Sequence, residues 1–150
     1  MRILVQRVAE ASVEVEGELV SSIGKGYLLL VGFGQEENPS LWQKMAQKVA
    51  KLRIFPDGNG KTNLSLNDVD GEILCVSQFT LYADPWTGNR PSFTKAMGAD
   101  FARDAYIKFM AYLKEVCPKV QGGIFQADMK VKLINDGPFT IILDSKEMSK

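Results

Sequence analysis

The stretch Gly26-Tyr27-Leu28-Leu29-Leu30-Val31-Gly32-Phe33 is almost continuously apolar and carries no charge. A run this short, rich in branched residues and bounded by glycine, is the pattern of a central strand covered on both faces. Upstream, residues 2–8 and 12–16 read as two further strands. In the second, Val13 and Val15 alternate with Ser12, Glu14 and Glu16, so one of its faces meets water. Gly17 then turns the chain into a strand over residues 18–23.

Downstream, Asn38-Pro39 offers a cap and a proline for a helix start. Leu41, Met45, Val49 and Leu52 follow at spacings of four, four and three, one face of an amphipathic helix. Lys44, Lys48 and Lys51 fall mostly on the other face, as a solvated surface or as contacts for a polyanion. Gly60-Lys61-Thr62 is not a phosphate loop, because Phe55 stands where that motif needs glycine. Residues 71–81 predict another strand. Asp100 predicts the cap of a second helix whose buried stripe is Phe101, Ala102, Ala105, Tyr106, Phe109, Leu113 and Val116. Met129, Val131 and Leu133 alternate with lysines in a strand, Asn135-Asp136-Gly137-Pro138 turns the chain, and residues 139–143 form the last strand. These elements predict one α+β domain over residues 1–150, with a mainly antiparallel, barrel-like sheet and two main amphipathic helices. Residues 145–150 read as a polar tail.

The composition narrows the chemistry. The 150 residues hold 18 basic and 18 acidic side chains, so bulk positive charge cannot drive nucleic-acid binding. There is no histidine, which excludes the Ser-His-Asp triad, the Cys-His pair and imidazole-based zinc sites. The two cysteines lack a CxxC spacing, and Cys75 sits in an apolar run as a small buried hydrophobe. Neither a metal nor another cofactor is expected. With no signal core and no apolar run near the roughly 20 residues that span a bilayer, the expected location is cytoplasmic.

Two stretches stand out. Ser77-Gln78-Phe79-Thr80 ends an apolar strand in three hydrogen-bonding side chains. They either satisfy one another and the nearby backbone, or form the polar floor of an apolar pocket with backbone N–H groups free for an oxyanion. Strand alternation separates Ser77 and Phe79 from Gln78 and Thr80, so their convergence requires a bend. Asn135-Asp136-Gly137-Pro138 reads either as a hairpin turn or as a rigid pair of backbone carbonyls able to hold an amino group.

The sequence closely resembles the D-aminoacyl-tRNA deacylases, also called D-tyrosyl-tRNA deacylases. The resemblance runs from Met1 to Leu143. It is carried by Gln6-Arg7-Val8, Arg53-Ile54-Phe55, Ser77-Gln78-Phe79-Thr80-Leu81, Arg90-Pro91-Ser92-Phe93, Ala127-Asp128-Met129 and Asn135-Asp136-Gly137-Pro138. It implies an enzyme that hydrolyses the ester of D-aminoacyl-tRNA and of glycyl-tRNA, a proofreading activity, in a homodimer without cofactor. Ser77, Gln78, Phe79 and Thr80 would line the catalytic pocket around the terminal adenosine and ester. Gly137 and Pro138, in cis, would reach into the partner's site and reject L-aminoacyl esters, with Arg7 supporting that loop. Phe125 and Met129 would lie near the adenine. The alternative is a dimeric RNA-binding module of the same fold without chemistry. The sequence departs from its relatives at Pro85 and Trp86, where they are often more basic, and at Gln126 and Phe139, which replace smaller residues.

Overall fold

The structure, a computed structural model, describes residues 1–148. Strand β1 (Arg2–Val15) is the hub of the sheet. Its first half pairs antiparallel with β3 (Gly26–Gly32), its second half with β2 (Glu18–Ile23), and its other edge with β8 (Lys130–Asp144) along nearly its whole length. On the far side of β3 lies β6 (Glu72–Ser77), followed by β7 (Val120–Gly122); both of these pairings are parallel. A two-stranded hairpin, β4 (Phe55–Pro56) with β5 (Thr62–Leu64), lies apart from the main sheet. The result is a nearly closed, barrel-like sheet with two α-helices among the described residues, α1 (Trp42–Lys51) and α2 (Ala99–Val116).

The central strand is where the apolar run places it. Tyr27, Leu29 and Val31 face one cluster of buried residues with both helices, while Leu28 faces a second with Val8, Val13 and Val76. Three expectations need correction. Residues 2–8 and 12–16 are one strand. The last two strands are also one, because residues 135–138 are no hairpin turn: from Gln6↔Thr140 to Val8↔Asn135, β1 advances two residues and β8 five, so the segment bulges out of a continuous ladder. The sheet itself is mainly antiparallel, as expected, with β6 joining parallel to β3 because the connection through α1 returns the chain in that direction. Finally, the polar tail is anchored where it begins: Ser145 is buried, and its N–H donates to the Met1 carbonyl at 2.9 Å. The last two residues of that tail lie outside the described residues.

Helix details differ for local reasons. Asn38 caps a 3-10 turn over Pro39–Leu41, its Oδ1 accepting from the Ser40 N–H at 3.2 Å. The tighter winding of that turn brings Trp42 instead of Leu41 into the core, against Phe33. Gly98, not Asp100, precedes the first turn of α2. Phe101 is 74% exposed, because it lies about 100° around the helix from the buried stripe that begins at Ala102. Val116 at the other end is only half-buried.

The Tyr27 hydroxyl is buried with no hydrogen-bond partner among the described residues, and burial pushes its pKa up, opposed by nearby Arg7. Its ring stacks on Phe55 at 5.2 Å. Tyr27→Phe keeps that stack and removes the orphaned group. Stability by urea denaturation is expected to stay level or rise by about 1 kcal/mol; a loss of that size would mean the hydroxyl is satisfied in solution.

Candidate active site

The chain bends immediately after Ser77. The Gln78 N–H makes the last ladder bond, to the Val31 carbonyl at 2.7 Å, and residues Phe79–Tyr82 then wind into a 3-10 turn. Three contacts fix that turn. The Tyr82 ring packs over Gly34, where a Cβ would lie 2.6 Å from its Cε1. Arg2 donates from Nη1 to the Leu81 carbonyl at 2.8 Å and lies over the Tyr82 ring at 4.5 Å. Asp144 holds Arg2 in turn, accepting from its Nε at 3.1 Å. Burial pushes the Asp144 carboxyl up, but the Lys146 N–H and Arg2 outweigh it and hold it below the usual range.

The bend brings Ser77, Gln78 and Phe79 to one cleft wall, whereas Thr80 is exposed and does not line it. Gln78 Nε2 donates to the Thr80 hydroxyl at 2.5 Å, so two of the polar side chains do satisfy each other. The N–H groups of Phe79 and Thr80, at the start of the turn, donate to no acceptor among the described residues. Phe79 is half exposed and meets Phe93 edge-on at 5.1 Å.

Beside this turn opens a cleft of about 670 Å³, lined by Ser77, Gln78, Phe79, Phe125 and Met129 among others. Its opposite wall is the start of α2, where Gly98, Ala99 and Ala102 leave space. Phe125 packs against Tyr106, whose hydroxyl donates to the Cys75 carbonyl at 2.7 Å. Cys75 itself is fully buried, and burial pushes its thiol pKa up, away from the reactive thiolate. A second cavity, of about 420 Å³ between Lys51, Arg53 and Asp68, holds none of the predicted site residues.

Arg7, Gly137 and Pro138 form a separate group. The Gly137–Pro138 peptide is cis. Arg7 Nε donates to the Asp136 carbonyl at 3.0 Å, its Nη1 to the Ile54 carbonyl at 2.6 Å, and its guanidinium lies over Phe139 at 4.8 Å. Asn135 closes the bulge, its Oδ1 accepting from the Phe139 N–H and its Nδ2 donating to the Thr140 hydroxyl, both at 2.8 Å. Gly137 and Pro138 are exposed, and neither they nor Arg7 contribute to the cleft walls of their own chain.

The model of the D-Tyr-tRNA(Tyr) deacylase family matches residues 4–144. The chain belongs to that family. Among its relatives, the D-aminoacyl-tRNA deacylase of Dictyoglomus turgidum is 53% identical over 150 residues, covering all of this chain and 96% of that protein. That of Lactobacillus acidophilus is 53% identical over 144 residues, covering 96% and 99%. A solved structure named c-Myc DNA unwinding element binding protein superposes with a TM-score of 0.90 at 41% identity, covering 96% of this chain and 98% of that one. A probable eukaryotic D-amino acid tRNA deacylase shares the fold at a TM-score of 0.81 and 16% identity, covering 95% and 97%. The family makes the chain an ester hydrolase with aminoacyl-tRNA as its substrate class.

Sequence reasoning missed the α2 wall of the cleft. Ala99 precedes the expected Asp100 cap and Ala102 reads only as part of the buried stripe; tertiary packing is what turns their small side chains into space. It also missed Arg103, whose guanidinium contacts the cleft residues Phe125 and Gln126. No helix among the described residues is long and apolar enough to cross a membrane.

Proposed function

We propose that the protein hydrolyses D-aminoacyl-tRNA and glycyl-tRNA while rejecting L-aminoacyl-tRNA, and that two copies of the chain build each site. The observation that carries this reading is the turn after Ser77, which presents two unspent backbone N–H groups beside an apolar cleft, in a chain without histidine. Water attacks the ester carbonyl, the Phe79 and Thr80 N–H groups receive the developing oxyanion, and the ribose 3′ oxygen leaves. The neighbouring ribose 2′-hydroxyl relays the proton, so the protein supplies position and electrostatics instead of a base. In this reading Thr80 is not the nucleophile, which is supported by the hydrogen bond its hydroxyl accepts from Gln78 and by the absence of a histidine to activate it.

Gly137 and Pro138 of the second copy hold the substrate amino group through backbone carbonyls, so that an L side chain points into protein. Supporting this is their position, exposed and fastened by Arg7 yet outside their own chain's cleft. Glycyl esters have nothing to clash and pass.

Release of amino acid from D-tyrosyl-, glycyl- and L-tyrosyl-tRNA tests the reading, with cleavage of the first two and sparing of the third expected. RNA bound with no amino acid released above the chemical background would instead indicate a binding module. Thr80→Val is expected to retain activity within about tenfold, the loss of one modest hydrogen bond. Its complete inactivation, with the fold intact, would restore Thr80 as nucleophile.

A further inference from the structure

Three features meet at the rim of the cleft where α2 faces the segment after β7. Gln126 adopts a left-handed backbone, φ 67°, at the corner of a turn closed by the Ala127 N–H and the Ile124 carbonyl at 3.1 Å. A non-glycine residue held there is disfavoured, and such outliers cluster where a side chain must be aimed. Its Oε1 accepts from Arg103 Nη2 at 2.8 Å. The Arg103 guanidinium in turn lies over the Phe125 ring at 5.3 Å, and both Phe125 and Gln126 line the cleft.

Arg103 is therefore oriented, but its hydrogen-bonding capacity is mostly unused. A guanidinium carries five N–H donors, and the hydrogen bond to Gln126 takes one. The neighbouring carboxylate, Asp100, stands 3.6 Å from Nη1, almost fully exposed. An ion pair in that setting is weak and screened by salt. What remains is a half-exposed, pre-oriented planar cation above the aromatic wall of an apolar cleft, the geometry that suits a phosphate oxygen pair.

We infer that Arg103, positioned by Gln126 and Phe125, binds the phosphodiester that links the terminal nucleotide of the substrate to the one before it. The inference rests on the proposed placement of the terminal adenosine and ester in this cleft. A nucleotide seated beside Phe125 carries its 5′ phosphate toward the rim, and Arg103 is the cation attached to that wall. The aimed Gln126 then acts as a positioning residue for Arg103.

The test compares D-tyrosyl-tRNA with D-tyrosyl-adenosine, which lacks the phosphodiester, in wild type, Arg103→Ala and Arg103→Lys. In Arg103→Ala, the ratio of kcat/KM for the tRNA over the adenosine ester should fall about tenfold, with the loss in KM. The plot of log Kd against log salt for uncharged tRNA should flatten by about 0.7, one contact to a single strand. Arg103→Lys should restore the salt slope, because the charge remains, and only part of the ratio. Gln126→Ala should give a smaller fall in the same ratio. Equal losses on both substrates would overturn the proposal, showing that Arg103 merely shapes the Phe125 wall; no change in ratio or slope would overturn it as well. Wild-type protein that releases no amino acid would defeat the deacylase reading, whereas the salt slope with uncharged tRNA judges the phosphate contact separately.

Discussion

Gly137→Ala is expected to reduce D-tyrosyl-tRNA deacylation by about 100-fold, the penalty of displacing a positioning group by an ångström. Gly137 has a φ of +138°, a conformation that side chains rarely adopt. A Cβ there would lie 3.0 Å from Arg7 Nη2, 3.1 Å from the Phe139 nitrogen and 3.3 Å from the Phe139 Cβ. The Arg7 end can yield, but Arg7 is tied to the Ile54 and Asp136 carbonyls, so the loop has to re-form around the methyl. Because the bulge is exposed and its neighbours in β1 and β8 remain paired, the fold should survive, with melting lowered by only a few degrees for a local cost of about 1–2 kcal/mol. Steady-state deacylation of D- and L-tyrosyl-tRNA, with a thermal melt, decides the matter. Wild-type rates and unchanged rejection of the L-ester would reduce the Gly-Pro bulge to a structural feature of β8.

The largest effect on stability is expected at Gly26. This glycine opens β3 opposite Glu72 in the parallel pairing with β6. A Cβ at Gly26 would stand 1.8 Å from the Glu72 carbonyl oxygen and 2.6 Å from its nitrogen, both of them backbone atoms that no rotamer change can move. The adjoining ladder bond, from the Glu72 N–H to the Lys25 carbonyl at 3.0 Å, would be levered open with it. Gly26→Ala should cost about 3 kcal/mol or more, lowering the melting temperature by roughly 6–12 °C in a domain of this size. The separation of β3 from β6 also disturbs the strand that delivers Ser77, so activity should fall with stability. Gly58→Ala, at a position where a Cβ meets nothing within 4 Å, is the control and should melt with wild type. Equal melting of the two variants would show that β3 and β6 can part at that end without consequence.

Elements whose signals are local were legible in the residues alone. The apolar run at residues 26–33 named the central strand, because burial on both faces leaves no alternation to read. Val13 and Val15 named the half-wet strand before Gly17, and the spacing of Met45 and Val49 named the first helix. The absence of histidine excluded imidazole-based triads, dyads and zinc sites, and the paired Ser-Gln-Phe-Thr and Asn-Asp-Gly-Pro signatures pointed to the family. Tertiary structure alone decided whatever depends on a distant partner. Asn135-Asp136-Gly137-Pro138 has the composition of a turn, yet it bulges within one strand because β1 runs continuously past it and keeps both flanks paired. The parallel alignment of β6 with β3 follows from where α1 returns the chain, which no residue of β6 encodes. Phe101, apolar and apparently in step with its helix, faces solvent because the buried stripe begins one residue later. The separation of the Gly-Pro bulge from its own cleft, and the meeting of Arg103 with Phe125 and Gln126 across more than 20 residues of sequence, are likewise long-range contacts. Local propensity names an element, whereas register, handover between strands and the facing of two surfaces are set by packing against segments far away in the chain.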